Sequence, residues 1–229
     1  MKVVILCGGK GTRLSEETNL IPKPMIKIGK KPILIHIMNI YQKYGFNEFV
    51  LAVGYKGFVI ENYLKKNKKF KIKIFKTGLN NLTGKRLFQL RKYLKNERFM
   101  LTYGDGVTSQ NLKSLLNFHV KNKKIATLTA VRPPTRFGEL SLNNKSTVNK
   151  FEEKPHINQG WINGGFFVFE PQIFNFLSNK NTMLEREPIN KLVKKKQLAA
   201  YRHRGFWYCM DTMRDKILLN KIWSKKKKW

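Results

Sequence analysis

Residues 6–14 read L-C-G-G-K-G-T-R-L, and Pro22-Lys23-Pro24 follows them closely in the chain. The residues before the glycines, 2–6, are mostly apolar and β-branched, which predicts a buried strand that runs directly into the glycines. Glycine carries no Cβ, so the backbone N–H groups of such a loop can approach an anion closely. Arg13 adds a planar five-donor fork and Lys23 a compact charge, both suited to phosphate oxygens. The stretch therefore predicts a polyphosphate pocket at the end of a strand.

The spacing of the glycines separates this loop from two commoner phosphate-binding loops. The chain lacks the terminal Gly-Lys-Ser/Thr of a P-loop, and no third glycine stands at the Rossmann offset after Gly9-x-Gly11. A glycine pair after a strand can also form a simple tight turn. The adjacent Thr12-Arg13-Leu14, together with the Pro-Lys-Pro segment, favours a phosphate pocket over that alternative.

These segments resemble the signature of the sugar-phosphate nucleotidylyltransferases. In that family the glycine loop wraps the nucleotide triphosphate, and the lysine of the Pro-Lys-Pro segment touches the reacting phosphates. The resemblance implies that Lys23 and Arg13 are catalytic. It also implies a nucleotide-binding set composed of Leu6, Gly8, Gly9, Gly11, Thr12, Arg13, Lys23, Asn81, Arg86 and Gly104.

Length and composition define the broad class of protein. With 229 residues, 41% of them apolar, the chain can bury a sizeable core, and we expect a single domain over residues 1–229. No apolar run approaches the ~20 residues of a membrane span, and the N-terminal strand is too short for a signal sequence. Two cysteines, Cys7 and Cys209, cannot by themselves form a disulfide framework or a zinc site. These features favour a reducing, cytoplasmic setting.

The net charge of +32 has two interpretations. A charge of this size is typical of proteins that bind nucleic acid or membranes through counterion release. Here the lysines form short groups at predicted helix ends and in turns, at 65–69, 121–124, 194–196 and 225–228. We therefore favour a solvated basic surface, with no membrane partner and no specific nucleic acid. A nucleic-acid-binding protein remains the alternative, although the chain shows neither zinc-ligand spacing nor an RNA-binding motif.

Predicted strands and helices alternate through residues 1–131. Strands are expected at 2–6, 48–53, 70–75, 98–103 and 125–131, and helices at 32–44, 56–65, 85–94 and 112–120. This rhythm predicts an α/β fold, with a Rossmann-like, mostly parallel sheet covered by helices on both faces. In such sheets ligands bind beyond the carboxyl ends of the strands, where Gly8-Gly9 and Gly104-Asp105-Gly106 stand.

Residues 132–229 follow a different pattern. Pro, Gly and Asn turns separate short strands, and the expected elements are strands around Leu140, Val148, 166–169 and 198–201, with helices at 171–177, 185–195 and 213–223. We interpret this part as an inserted sugar-binding lobe, followed by a last helix, in a fold of the nucleotide-diphospho-sugar transferase type. Residues 1–131 would then bind the nucleotide and residues 132–229 the sugar phosphate.

Two acidic residues are candidates for a Mg²⁺ site. Asp105 follows a buried strand between two glycines, and because Mg²⁺ usually takes one or two carboxylates plus phosphate oxygens, it needs a partner. Asp211 stands just before the last predicted helix, where it could equally be the N-cap. In the resembled family a late aspartate joins the strand-end aspartate as the second metal ligand. The resemblance therefore implies that Asp105 and Asp211 bind Mg²⁺ together.

A second group of residues points to the sugar phosphate. Glu153-Lys154-Pro155 could be a strand ending in a turn with a solvated lysine, and Asn163-Gly164-Gly165 could be a hairpin turn. In the resembled family an E-K-P segment supplies a lysine that grips the sugar phosphate and a glutamate that contacts the sugar. The resemblance implies that Lys154 is catalytic and that Glu153, Lys154, Asn163 and Gly164 bind the sugar phosphate.

Within this family the chain is most similar to the glucose-1-phosphate cytidylyltransferases, over nearly its whole length. The shared segments are R-L-S-E-E-T from Arg13, K-P-I-L-I-H-I-M from Lys31, G-Y-K-G-F-V-I from Gly54, T-Y-G-D-G-V from Thr102, P-P-x-R-F-G from Pro133 and M-D-T-M-R-D-K from Met210. The resemblance implies CTP and glucose 1-phosphate as substrates, Mg²⁺ as cofactor and a homo-oligomer. Arg86 could donate to the cytosine O2 and N3 acceptors. Thymidylyl, uridylyl or guanylyl transfer remains an alternative.

The chain departs from the family pattern at three places. Ile21 replaces a lysine that is common before the Pro-Lys-Pro segment, and Cys209 stands where relatives often have proline. The segment between Tyr63 and Thr77 is shorter than the arm that relatives carry there. In the family that arm contributes to subunit contacts and to the rim of the active site. Oligomeric state and base selectivity therefore stay open at this point.

Overall fold

The computed structural model describes residues 1–65, 69–133, 139–143, 146–152 and 160–229. The strands are β1 Lys2–Cys7, β2 Lys27–Ile28, β3 Lys31–Pro32, β4 Glu48–Val53, β5 Lys71–Lys76, β6 Phe99–Tyr103, β7 Gly106–Thr108, β8 Ala126–Val131, β9 Glu139–Leu142, β10 Val148–Glu152, β11 Ile162–Phe169, β12 Leu198–His203 and β13 Trp207–Cys209. The helices are α1 Ser15–Thr18, α2 Ile33–Lys43, α3 Gly57–Lys65, α4 Thr83–Gln89, α5 Arg91–Leu94, α6 Leu112–Asn122, α7 Glu187–Lys194 and α8 Met213–Lys225, with 3₁₀ turns at Thr12–Leu14, Lys23–Met25 and Pro171–Phe176.

The main sheet places its seven described strands in the order β12-β8-β11-β6-β1-β4-β5. Strand β1 lies inside the sheet next to the middle strand β6 and pairs in parallel with both β4 and β6, and β5 and β12 also join their neighbours in parallel. Strand β11 is antiparallel to β6 and β8. The chain leaves β8 at the carboxyl edge and re-enters the sheet at that same edge, so β11 must run in the opposite direction. The predicted mostly parallel α/β sheet is confirmed.

The side chains of β1 alternate between the two faces of the sheet, as a strand requires. Val3 and Ile5 enter one apolar core together with α2 and α3, whereas Val4 and Leu6 enter a second core together with α4, α5 and α7. All four side chains are almost fully buried. Because helices pack on both faces of the sheet, the end of β1, where the glycine loop begins, is held in a fixed position.

Several local features differ from the sequence-based expectation. The helix expected over 171–177 is a 3₁₀ turn, Pro171–Phe176. The helix expected over 85–94 is divided at Leu90 into α4 and α5. Strand β11 begins at Ile162, so Asn163-Gly164-Gly165 lies within a strand that contains a register shift, and not in a hairpin turn. The short strands β7 and β13, which pair with each other, have too few residues to show a periodic pattern.

Among the described helices, none is long and apolar enough to cross a membrane.

Candidate active site

A cavity of about 320 Å³ lies at the carboxyl ends of β1 and β6. This is the edge at which open parallel sheets bind ligands. The cavity brings together all ten residues of the nucleotide-binding set expected from the sequence. Its lining consists of Leu6, Cys7, Gly8, Gly9, Gly11, Thr12, Arg13, Lys23, Pro24, Asn81, Leu82, Thr83, Arg86, Tyr103, Gly104, Asp105 and Met183.

Two glycines of the loop are required for different reasons. Gly11 has φ +68°, a left-handed conformation that side chains disfavour, and a Cβ there would also lie 2.8 Å from Thr18 Cγ2. At Gly8 a Cβ would lie 2.1 Å from Arg86 Nη1, so the absence of a side chain makes room for a guanidinium. The glycine pattern therefore serves both the turn of the loop and the approach of Arg86.

Arg86 connects the glycine loop with residues 77–79. Its side chain is buried at 3% exposure. Nη1 donates to Thr77 Oγ1 at 2.6 Å and to the Gly78 carbonyl at 2.8 Å. Nη2 donates to the carbonyls of Gly8 at 2.9 Å and Leu79 at 3.2 Å. If these nitrogens contacted a nucleotide base, some of their four hydrogen bonds to the protein would have to break. A base contact by Arg86 therefore stays a prediction, whereas its contacts with the glycine loop and with residues 77–79 are observed.

Lys23 joins the two acids that the sequence singles out. Its Nζ donates to Asp105 Oδ2 at 2.7 Å and to Asp211 Oδ1 at 2.6 Å. Burial by itself lowers the pKa of Lys23, but the charge of Asp105 and the hydrogen bonds that Lys23 donates to both acids outweigh it and raise that pKa above its usual value. Arg13 Nη1 lies 3.1 Å from Asp211 Oδ2. Two cations and two carboxylates therefore meet at the glycine loop.

Backbone pairing explains how residues so distant in sequence come together. Asp105 immediately precedes β7, and Asp211 follows β13 by two residues. These strands are antiparallel neighbours, with Gly106 opposite Cys209, and the Met210 N–H donates to the Asp105 carbonyl at 2.9 Å. The two acidic segments are thus held side by side by main-chain hydrogen bonds. The convergence of Asp105 and Asp211 does not depend on flexible side chains alone.

The N-cap alternative for Asp211 is wrong. The cap of α8 is Thr212, whose hydroxyl accepts from the Asp215 N–H at 3.3 Å, and the Asp215 carboxylate in turn accepts from the Thr212 N–H at 2.8 Å. This reciprocal arrangement is a capping box, which satisfies N–H groups at the helix start. Asp211 therefore directs its carboxylate toward Lys23 and Arg13.

A divalent metal ion fits the donor atoms at this position. One ligand atom each from Asp105, Asp211 and Cys209 lie within 4.8 Å of one another. Carboxylate oxygens are the protein ligands that Mg²⁺ prefers, with phosphate oxygens and water completing its shell. The Lys23 ammonium bridges the same two carboxylates, so the position already attracts positive charge. The group can hold a metal ion, and its identity as Mg²⁺ stays a prediction.

The residues expected to bind the sugar phosphate lie at the side of the cavity or outside the described part. Asn163 Oδ1 accepts from the Gly165 N–H at 2.9 Å, and its side chain interacts with Tyr103, which lines the cavity. The Gly164 carbonyl accepts from Trp207 Nε1 at 2.8 Å. Glu153 and Lys154 lie outside the described residues, so their roles stay predictions.

The sequence did not indicate the segment 180–185, which closes one wall of the cavity. Thr83 donates to a Glu185 oxygen at 2.7 Å and accepts from the Leu184 N–H at 2.8 Å. Tyr103 also donates to Glu185. These contacts place Met183 in the lining, and Asn181 holds its segment against the loop that carries Asn81 by accepting from the Leu82 N–H at 2.8 Å. No local motif marks such a wall, because it arises from the docking of two distant segments.

Fold and site together define a class of protein. An α/β sheet with a glycine-lined pocket at its carboxyl edge, containing cations and a carboxylate pair, is suited to a nucleoside triphosphate and its counterion. The model of the nucleotidyl transferase family matches residues 2–218. The chain therefore belongs to the nucleotidyl transferase family, and the resemblance inferred from its motifs is confirmed.

Individual relatives support this membership over the full length. The chain is 42% identical to the glucose-1-phosphate cytidylyltransferase of Salmonella typhimurium, with 99% of this chain and 97% of the relative covered. It is 31% identical to the mannose-1-phosphate guanyltransferase of Saccharomyces cerevisiae, covering 96% of this chain and 63% of that protein. A solved UDP-glucose pyrophosphorylase in complex with UDP-glucose superposes with a TM-score of 0.75 at 19% identity, covering 99% of each chain. That structural likeness establishes the shared fold.

Proposed function

We propose that this protein transfers a cytidylyl group from CTP to α-D-glucose 1-phosphate, giving CDP-glucose and pyrophosphate. The observation that carries the proposal is the Lys23 ammonium held between Asp105 and Asp211 beside the glycine loop. The choice of cytosine and glucose rests on the 42% identity to a glucose-1-phosphate cytidylyltransferase over nearly the whole chain.

The reaction is an in-line displacement at phosphorus. A phosphate oxygen of glucose 1-phosphate attacks the α-phosphorus of CTP, a new P–O bond forms, and the bond to the β-phosphate oxygen breaks. Pyrophosphate leaves with the electron pair of that bond. Little covalent chemistry is required of the protein, so catalysis consists of positioning and of stabilising charge.

The cationic residues supply that stabilisation. Lys23 is held by its two carboxylate partners at the cavity floor, and Arg13, with 72% of its side chain exposed, stands at the rim. A bound triphosphate brings negative charge to both, and removing one such cation typically lowers the rate by ~10²–10³. A Mg²⁺ ion held by Asp105 and Asp211 would neutralise phosphate charge. Lys23 and Arg13 would then orient the α-phosphate for attack.

The sugar phosphate would enter beside β11. Asn163 can hydrogen-bond to hydroxyl groups there, and Gly164 lets a hexose approach the backbone. The family pattern assigns the sugar phosphate itself to Lys154 and a sugar contact to Glu153. The proposal also includes that the protein forms a homo-oligomer and that it functions in a reducing, cytoplasmic setting. The free thiols of Cys7 and Cys209 are compatible with that setting.

A pyrophosphate-release assay tests the proposal most economically. Each of CTP, dTTP, UTP and GTP is combined with glucose 1-phosphate and, separately, with mannose 1-phosphate. The proposal predicts the highest kcat/KM for CTP with glucose 1-phosphate. A higher kcat/KM with another nucleotide or with mannose 1-phosphate would replace the substrate assignment but keep the chemistry. No pyrophosphate release from any pair would refute both.

A further inference from the structure

The segment 180–185 is docked on residues 80–84 through main-chain contacts. The Asn181 side chain accepts from one backbone N–H of that stretch at 2.8 Å and donates to a carbonyl at 3.1 Å. The Thr182 carbonyl accepts from the Gly84 N–H at 3.0 Å. A Cβ at Gly84 would lie 2.8 Å from that carbonyl oxygen, so only glycine permits this approach without a shift. Direct contact therefore fixes the separation of the two segments.

Glu185 connects this docked pair of segments to the main sheet. One of its carboxylate oxygens accepts from the Thr83 hydroxyl at 2.7 Å, and the other accepts from the Tyr103 hydroxyl. Thr83 begins α4, the helix that carries Arg86, and Tyr103 is the last residue of β6. Both hydroxyl residues line the nucleotide cavity, whereas Glu185 is not part of its lining. Glu185 therefore acts on the cavity only through the residues that it holds.

Tyr103 provides Glu185 with a rigid anchor. Burial and, next, the charge of Glu185 raise the pKa of Tyr103, so the hydroxyl keeps its proton and remains a donor. The ring lies directly on Gly165, where a Cβ would be 2.5 Å from Tyr103 Cδ2. It also meets the Phe167 ring edge-on, with centroids 5.9 Å apart. Because strand β11 packs on Tyr103 in this way, the carboxylate of Glu185 is tied to the sheet and not to a loop.

The docked segment limits the room in the nucleotide cavity through Met183. This residue and Thr83 both line the cavity, which has a volume of about 320 Å³. Met183 lies between Thr182 and Leu184, which are both hydrogen-bonded to residues 83–84, so its main chain is held from both sides. A purine is larger than a pyrimidine by one fused ring. A wall that is held in place disfavours the larger base by steric conflict, whereas a wall that can move does not.

We propose that Glu185 is a positioning residue for base selectivity. By holding the segment 180–185 to Thr83 and Tyr103, it keeps the cavity at a size that admits a one-ring base and disfavours a two-ring base. This inference rests on the proposed function, in which the same cavity binds CTP.

Ratios of nucleotide affinities test the inference. CTP, UTP and GTP are each titrated with Mg²⁺ into the full chain by calorimetry, without glucose 1-phosphate. Glu185→Ala should lower the ratio of CTP affinity to GTP affinity by at least about fivefold. The ratio of CTP affinity to UTP affinity should stay within about twofold, because both bases have one ring. A purely structural role would reduce the amount of folded protein for all three nucleotides equally and would leave both ratios unchanged.

Two further variants and a control separate the role of Glu185 from general damage. Glu185→Gln should keep the wild-type ratios, because an amide can accept from one hydroxyl and donate to the other. Gly84→Ala pushes the docked segments apart while Glu185 remains, so it should also lower the ratio of CTP affinity to GTP affinity. Glu187→Ala removes a nearby glutamate with a side chain that is 53% exposed and paired with Lys191, and it should change neither ratio.

The inference is overturned if Glu185→Ala keeps the ratio of CTP affinity to GTP affinity, or if Glu185→Gln loses it as fully as Glu185→Ala. Where circular dichroism shows that Glu185→Ala has lost its fold, the same ratio in Gly84→Ala decides. The titrations do not depend on turnover. The predicted ratios without any pyrophosphate release would refute the proposed function alone, whereas pyrophosphate release with unchanged ratios would refute this inference alone.

Discussion

Replacing Lys23 by methionine removes the ammonium group but keeps an unbranched side chain of similar length. In the structure that ammonium makes hydrogen bonds of 2.7 and 2.6 Å to Asp105 and Asp211, and the three side chains are 12%, 22% and 23% exposed. Charged hydrogen bonds in partly buried sites contribute about 1.5–3 kcal/mol each, and part of this is recovered when water enters. We therefore expect the free energy of unfolding to fall by about 2–4 kcal/mol.

The same substitution leaves two carboxylates facing each other. Ligand oxygens of Asp105 and Asp211 lie within 4.8 Å, and at an effective dielectric constant near 20 two such charges repel by about 3 kcal/mol. A divalent cation would relieve this repulsion, and in the Lys23→Met variant it would no longer compete with an ammonium. Added Mg²⁺ should therefore stabilise the variant more than it stabilises the wild type.

Urea denaturation with and without Mg²⁺ measures both effects, and pyrophosphate release measures turnover. We expect a Mg²⁺-dependent recovery of stability in Lys23→Met together with a fall in kcat of ~10²–10³. Lys27→Met, an exposed lysine nearby, is the matched control and should change neither. If Mg²⁺ stabilises Lys23→Met no more than wild type, and turnover is near normal, the reasoning about the acid pair is refuted.

Three further outcomes follow from the structure. Gly8→Ala places a Cβ 2.1 Å from Arg86 Nη1 and should weaken CTP binding by at least about tenfold in a titration. A Cβ at Gly9 would have no atom within 4 Å, so Gly9→Ala should retain the fold, as measured by circular dichroism. Thr212→Ala removes the cap of α8 and should lower the free energy of unfolding by about 1 kcal/mol in urea; an unchanged midpoint would argue against the capping box. Burial lowers the pKa of His36, so this residue binds a proton more readily in the unfolded state than in the folded state. Its contribution to the free energy of unfolding should therefore be complete above about pH 6.5 and decline as the pH falls below that value. Urea midpoints that stay level from pH 7.5 to 5.5 would contradict that expectation.

Much of the fold could be predicted from the sequence because long, regular elements carry a periodic pattern. The strand expected at 48–53 matches β4, and the helix expected over 32–44 corresponds to α2, Ile33–Lys43. The division of a helix at Leu90 and the pairing of three-residue strands have no such pattern, because tertiary contacts determine them. The sequence also could not show that the absence of a side chain at Gly8 accommodates Arg86.

The candidate site was predictable only in part, for a related reason. Residues 6–14 lie together in the chain, so their phosphate chemistry is visible locally. Asp105 and Asp211 are brought together by β7 and β13, and only the family resemblance joined them before the structure did. Met183 reaches the cavity lining because Glu185 and Thr83 dock two distant segments on each other, which no local signal reveals.

A double-mutant cycle on the acid pair tests the central claim most directly. Pyrophosphate release from CTP and glucose 1-phosphate is measured for Asp105→Asn, Asp211→Asn and the double variant. If the two carboxylates act on one shared cation, each single variant should lose ~10²–10³ in kcat/KM, and the double variant should lose little more than the worse single one. Losses that multiply in the double variant, or single variants with near-normal turnover, would contradict the shared site.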